Sequence, residues 1–244
     1  MSRRLGRPEN DYALHGEGNT SARVDADTFF VKASGATLDG IDAGGFVRMR
    51  ARAVLDLLGQ EGLDDRGVRA GLEAARADPE CELLPSVETM LHAFLLELEG
   101  VELVAHTHPT VVVGLLSSQW AAEAIAGRLF PDEIVNCGPA PCYLPYADPG
   151  VPLARAARQA VLAHMEAHGE APKVILIGNH GLIVPGASPR EVEAVTAMYV
   201  KTARVLITTY ALGGPRFLTP EQVARIHTRP DEAYRRAAFR RASR

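Results

Sequence analysis

At 244 residues and a net charge of −4, the chain can bury a full core as one large domain, and no linker, repeat or low-complexity tract divides it. Residues 1–7 are basic but lead into Pro8-Glu9-Asn10-Asp11, and no apolar run reaches membrane-span length, so neither a secretory signal nor membrane insertion is expected. The three cysteines, Cys81, Cys137 and Cys142, do not make a disulfide framework, which points to the cytoplasm.

In chain order, residues 1–10 read as a tail and Thr28–Lys32 as a short apolar strand broken by Ser34-Gly35. A helix is expected from about residue 42, carrying Phe46, Val54, Leu57 and Leu58 and stopping at Gly59; residues 63–78 read as a polar surface helix. Ser86 is expected to cap a helix running to Gly100 with Val87, Leu91, Leu95 and Leu98 on one face. Residues 101–106 follow as a strand, and Pro109 opens a helical stretch. Residues 134–137 and 143–146 read as strands, and 152–168 as a helix ended by Gly169.

Residues 174–177 and 182–184 read as adjacent antiparallel strands, which favours a mixed sheet with helices on its faces. The longest helix opens on the capping box Ser188-Pro189-Arg190-Glu191. Val192, Val195, Tyr199, Thr202 and Leu206 recur along it, and Gly213-Gly214-Pro215 ends it. One domain is therefore expected over 11–218, followed by a basic helical tail over 219–244. From residue 229 onward six arginines face Asp231 and Glu232, a local net of +4 that leaves −8 for the rest of the chain. Arg235, Arg236, Arg240 and Arg241 suit a helix face docked on an acidic neighbour. With no aromatic-basic interleaving, nucleic acid is not an expected partner.

Chemistry concentrates at strand ends. On a strand, residues two apart face the same side, so His106 and His108 can converge on one point. His180, at the end of a second apolar run over residues 173–178, can complete a three-nitrogen site with an open position, the arrangement a catalytic zinc (Zn2+) requires; Mn2+ or Co2+ are alternatives. Each histidine alone reads as an ordinary strand-end residue. Glu88, just inside a helix start, then has a use: a carboxylate beside a metal-bound substrate can move a proton. His92, one turn later, reads as a packing or surface residue. Gly16-Glu17-Gly18-Asn19-Thr20-Ser21 reads as a turn before a strand and Lys32-Ala33-Ser34-Gly35 as a turn after it; both can cradle a phosphate or polyol. Lys32 itself, at a strand end, is expected to be solvated.

Gly-Asn-x-Ser at residues 18–21, Ser34-Gly35, Pro-Ser-x-Glu at 85–88, His-x-His-Pro at 106–109 and Asn-His-Gly-Leu-Ile at 179–183 together resemble the class II aldolase/adducin family, over residues 18–213. The resemblance implies a three-layer α/β/α sandwich around a mainly antiparallel sheet, and a cyclic homotetramer with sites between subunits. It implies zinc on His106, His108 and His180 and Glu88 as the acid/base, with Gly18, Asn19, Ser34, Gly35 and Ser86 holding the substrate's phosphate or polar terminus.

Two positions depart from the L-fuculose-1-phosphate aldolase branch. Val87 stands where that branch has a second phosphate-binding serine, and Phe130-Pro131-Asp132-Glu133 lacks its cross-subunit tyrosine. Epimerase relatives place an aspartate in this region, which makes Asp132 a candidate cross-subunit acid. They carry aspartate where this chain has Glu88, however, so the balance returns to carbon–carbon cleavage. The expected activity is a metal-dependent aldehyde-lyase of carbohydrate metabolism acting on a sugar or sugar phosphate. A 4-epimerase, a dehydratase or a decarboxylase of the same fold is the alternative. A non-catalytic adducin-like module is disfavoured by the intact histidine set.

Overall fold

The computed structural model describes residues 1–231. The basic spacing over Arg235–Arg241 lies outside the described residues. In chain order the elements are α1 (Ser2–Leu5), β1 (Asn19–Arg23), β2 (Thr28–Lys32), β3 (Phe46–Arg50), α2 (Ala51–Gly59), α3 (Asp65–Ala74), α4 (Thr89–Leu96), β4 (Leu103–Thr107) and α5 (Thr110–Leu116). Then come α6 (Ala121–Ala124), α7 (Pro131–Cys137), β5 (Cys142–Leu144), α8 (Val151–His168), β6 (Ile175–Ile177), β7 (Gly181–Gly186), α9 (Pro189–Tyr210) and α10 (Pro220–His227).

The seven strands form one sheet in the order β3-β2-β1-β4-β7-β6-β5, and every pairing but β5–β6 is antiparallel. The two-residue period of the strands sorts their side chains into two cores. Phe29, Val31, Val47, Met49, Val104, Ile175, Ile177 and Ile183 pack on one face with residues of α2, α4 and α8. Ala105, Leu176, Leu182 and Val184 pack on the other with α5 and α9, joined by Leu5 of α1. This is a three-layer sandwich with a mostly antiparallel sheet, as the motifs implied. No helix among the described residues is long and apolar enough to cross a membrane, and the three cysteines are free.

Several local expectations change. Residues 46–50 form β3, not the first turns of a helix: Val47 and Met49 are buried and Arg48 and Arg50 exposed, an alternation only a strand satisfies. Residues 134–137 belong to helix α7, whose start is set by Pro131 in its first turn. It is anchored by Glu133, whose carboxylate accepts from the Leu129 amide (2.8 Å) and pairs with buried Arg128 (3.0 Å). Asn19–Ser21 is not turn but the start of β1, because β2 and β4 pair with it on both sides.

Helix caps also shift. Helix α4 begins three residues past Ser86, with Glu88 at its cap position. Ser86 instead forms the preceding turn, its carbonyl accepting from the Thr89 amide at 3.1 Å. The α9 cap is not reciprocal: Ser188 Oγ accepts from the Glu191 amide, while Glu191 Oε2 takes the amide of Ala187. A true capping box, Thr219 with Gln222, opens α10 instead.

Candidate metal centre and its surroundings

His106 lies on β4 with its side chain on the α4 face, beneath the start of that helix; His108 follows just past the strand. His180 enters from the turn before β7, the strand paired to β4. Asn179, at φ 53°, takes the left-handed conformation there that asparagine tolerates. Gly181 gives the three rings room: a Cβ at that position would stand 2.7 Å from both His108 Cδ2 and the Thr107 carbonyl oxygen. Gly18 has the same function on the other side. At φ +63°, it lets β1 start where a Cβ would meet the His106 carbonyl oxygen at 2.5 Å.

His106 Nε2 is 2.8 Å from His108 Nε2 and 3.2 Å from His180 Nε2, and the three ligating atoms lie within 4.8 Å of one another. His106 Nδ1 donates to the Leu182 carbonyl at 3.1 Å, which leaves Nε2 as a bare lone pair. Burial, then the nearby His180, hold His106 far below the ordinary histidine value, at about 3. Burial and the two other histidines bring His108 to about 3 as well.

Glu88, 6 % exposed, faces the same point. Its Oε2 is 3.5 Å from His106 Nε2 and its Oε1 is 3.4 Å from His180 Nε2. Asn19 Nδ2 donates to Glu88 Oε2 at 2.7 Å and to Ser86 Oγ at 3.1 Å. A buried carboxyl group converging with three imidazole nitrogens is a donor set that a divalent cation completes. The nitrogen spacing fits, since two ligands at zinc–nitrogen bond length in a tetrahedron stand about 3.3 Å apart. His106, His108 and His180 therefore form a candidate divalent-metal site with Glu88 beside it.

Other expected residues fall as follows. Ser34 and Gly35 form an exposed turn, Gly35 at φ +80°, and Ser86 is buried beside Asn19. Asp132 lies on the exposed first turn of α7, its carbonyl accepting from Asn136. Lys32 is not solvated: it is 2 % exposed, and its Nζ donates to the carbonyls of Ala36 (2.6 Å), Ala33 (3.3 Å) and Gly16 (3.4 Å). It ties the Gly16 turn to the Ser34 turn. Burial pulls its pKa below that of an ordinary lysine, with Glu88 pulling it back up. The only sequence sign of this role was a lysine closing an apolar strand. His92 is fully buried, its Nδ1 2.7 Å from Ser21 Oγ, and so locks α4 to β1.

Fold and site together define a three-layer α/β/α protein with a cluster of three histidines, His106 buried and His108 and His180 half-buried, and a buried glutamate, where β4 ends and β7 begins. The chain belongs to the class II aldolase and adducin family: the model of the Class II Aldolase and Adducin N-terminal domain matches residues 2–207.

Among solved structures, the N-terminal class II aldolase domain of a conserved protein from Thermoplasma acidophilum is 26 % identical, with a TM-score of 0.66 over 84 % of this chain and 90 % of that one. L-fuculose 1-phosphate aldolase shares the fold at 16 % identity, TM-score 0.68, over 93 % of this chain and 92 % of that one. YgbL from Escherichia coli, described as a candidate aldolase/epimerase/decarboxylase, shares it at 20 % identity, TM-score 0.65, over 93 % and 96 %. A curated relative, the uncharacterized oxidoreductase YuxG of Bacillus subtilis (strain 168), is 25 % identical over 199 residues, 78 % of this chain; the chain spans 25 % of that protein's length.

Proposed function

We propose that the protein is a zinc-dependent aldolase-type lyase that cleaves or forms a carbon–carbon bond in a sugar or sugar-phosphate hydroxy-carbonyl substrate. The observation that carries this reading is the placement of Glu88 within 3.5 Å of two of the three converging histidines. His106, His108 and His180 would hold the zinc, which when bound polarises the substrate carbonyl as a Lewis acid. Glu88, protonated when cleavage begins, gives that proton to the carbon that loses its bond and regains one from solvent; Asn19 holds it in place. A second group must take the proton of the hydroxyl that becomes the aldehyde, and Asp132 of a neighbouring copy is proposed for it. Gly18, Asn19, Ser34, Gly35 and Ser86 shape the binding end.

The assembly that brings Asp132 to a site is a homotetramer, formed inside the cytoplasm. What supports assembly is the partly exposed outer face of β2 and β3, where Phe30 is 39 % exposed beside a groove of about 340 Å³ lined by Ala22, Phe46 and Leu103. Elemental analysis should find zinc, light scattering should find four chains, and a panel of hydroxy-carbonyl compounds should release aldehyde. A metal-loaded protein that epimerises, dehydrates or decarboxylates the panel without releasing aldehyde overturns the lyase assignment.

A further inference from the structure

We propose that Glu17 is a positioning residue of the metal centre: its carboxylate is the acceptor for the outer ring nitrogen of His108, and so fixes which nitrogen of that ring faces the ion. The proposal rests on the zinc site of the reading above, not on the reaction assigned to it.

A neutral histidine that ligates through one ring nitrogen carries its proton on the other, and a hydrogen bond to that proton fixes both tautomer and ring orientation. The three candidate ligands differ in how this is met. His106 Nδ1 has the Leu182 carbonyl at 3.1 Å. His180 Nδ1 is buried with no partner among the described residues. His108 Nδ1 has Glu17 Oε1 at 4.0 Å, an ion-pair separation about an ångström longer than a hydrogen bond.

The turn that carries Glu17 is fastened to the metal-bearing strand. The His108 amide donates to the Tyr12 carbonyl at 2.7 Å, and Gly18, just past Glu17, lies against the His106 carbonyl oxygen. Glu17 Oε2 accepts from the Leu14 amide at 2.9 Å, so one carboxylate oxygen serves its own turn and the other is left for His108. Burial and the two other histidines lower the pKa of His108, and Glu17 acts against them, ahead of Glu88. The Glu17 side chain is 44 % exposed, so closing the remaining gap is a small rotation that repacks nothing. A cation on Nε2 supplies the attraction, because it makes the N–H on the far side of the ring a stronger donor.

These two tasks need two acceptor oxygens, and an amide has one. Glu17→Gln can therefore cap the Leu14 amide or serve His108, but not both, at nearly unchanged size. Competition against a chelator, on the full chain, measures the consequence. Glu17→Gln and Glu17→Ala should each bind zinc about 10–100-fold more weakly than wild type, the usual effect of losing the outer partner of a ligand. Co2+-loaded Glu17→Gln should also show a shifted visible spectrum, since the donor strength of His108 changes. Melting temperatures of the metal-free variants should match wild type, because the residue lies on an exposed turn. Wild-type zinc affinity in Glu17→Gln, or weaker binding with an unchanged Co2+ spectrum, makes Glu17 only a brace of its turn and overturns the inference while leaving the zinc site standing. A wild-type chain that takes up no zinc removes both.

Discussion

Asn19 stands directly opposite His106 in the antiparallel ladder between β1 and β4. Side chains of directly opposed residues share a face, so the pairing puts the Asn19 amide on the same side of the sheet as the His106 ring. Glu88 descends between them from α4, 2.7 Å from one and 3.5 Å from the other. The acid/base candidate is positioned by strand register as well as by its own helix.

Glu88→Gln should retain zinc, because the three imidazole nitrogens are untouched, yet lose turnover by a factor of about a hundred or more. Metal analysis alongside steady-state rates checks this. Full activity in the zinc-loaded variant would leave Glu88 with only a helix-start role.

Gly181→Ala should weaken metal binding, since the added Cβ would stand 2.7 Å from His108 Cδ2 and the Thr107 carbonyl oxygen and 3.3 Å from His106 Cε1. The strain should cost about 1–3 kcal/mol of stability, as overpacking commonly does. A competition titration against a chelator and a denaturant melt measure the two effects. Wild-type metal affinity would show that the rings have slack.

Lys32→Met keeps the apolar stem but leaves the carbonyls of Gly16, Ala33 and Ala36 without their donor. A loss of about 1–3 kcal/mol is expected, together with weaker substrate binding, because the two turns are no longer tied. Metal content should not change, which separates loosened turns from a damaged metal centre.

The metal-free protein should lose stability as pH falls from about 6.5, the ordinary histidine value, towards 3. His92, His106 and His108 sit at about 3 and His164 at about 4, burial being the largest cause in each. Across that window the unfolded chain binds more protons than the folded one, so stability must rise with pH. Melting temperatures of chelator-treated protein between pH 4 and 7 give the slope. A flat profile would mean that these rings are hydrated and protonate freely in the folded state.

Much of this organisation was legible in order and spacing. The two-residue step from His106 to His108 at the end of an apolar run, and the Asn-His-Gly turn after another, mark strand ends that can share a focus. The structure brings the three rings together there. The adjacent apolar runs at residues 174–177 and 182–184 likewise carried a mixed sheet with helices on its faces, and the family resemblance implied its mainly antiparallel character. Elements whose identity depends on partners did not read correctly. Asn19–Ser21 looks like a turn until β2 and β4 flank it, and residues 134–137 are apolar enough for a strand until Glu133 and Arg128 anchor a helix.

What the sequence by itself determined is therefore the inventory: which residue types can ligate, which can move a proton, and which local periods they ride on. These are properties of neighbours along the chain. The tertiary structure alone decided where the donors point. Asn19 gives its amide hydrogens to Glu88 and Ser86, Lys32 turns inward because three carbonyls from two turns converge on it, and His92 is locked to Ser21 inside the core. Each outcome depends on groups many residues away in sequence. A buried polar atom must find whatever partner the fold brings within reach, and that partner is set by the packing of the whole chain.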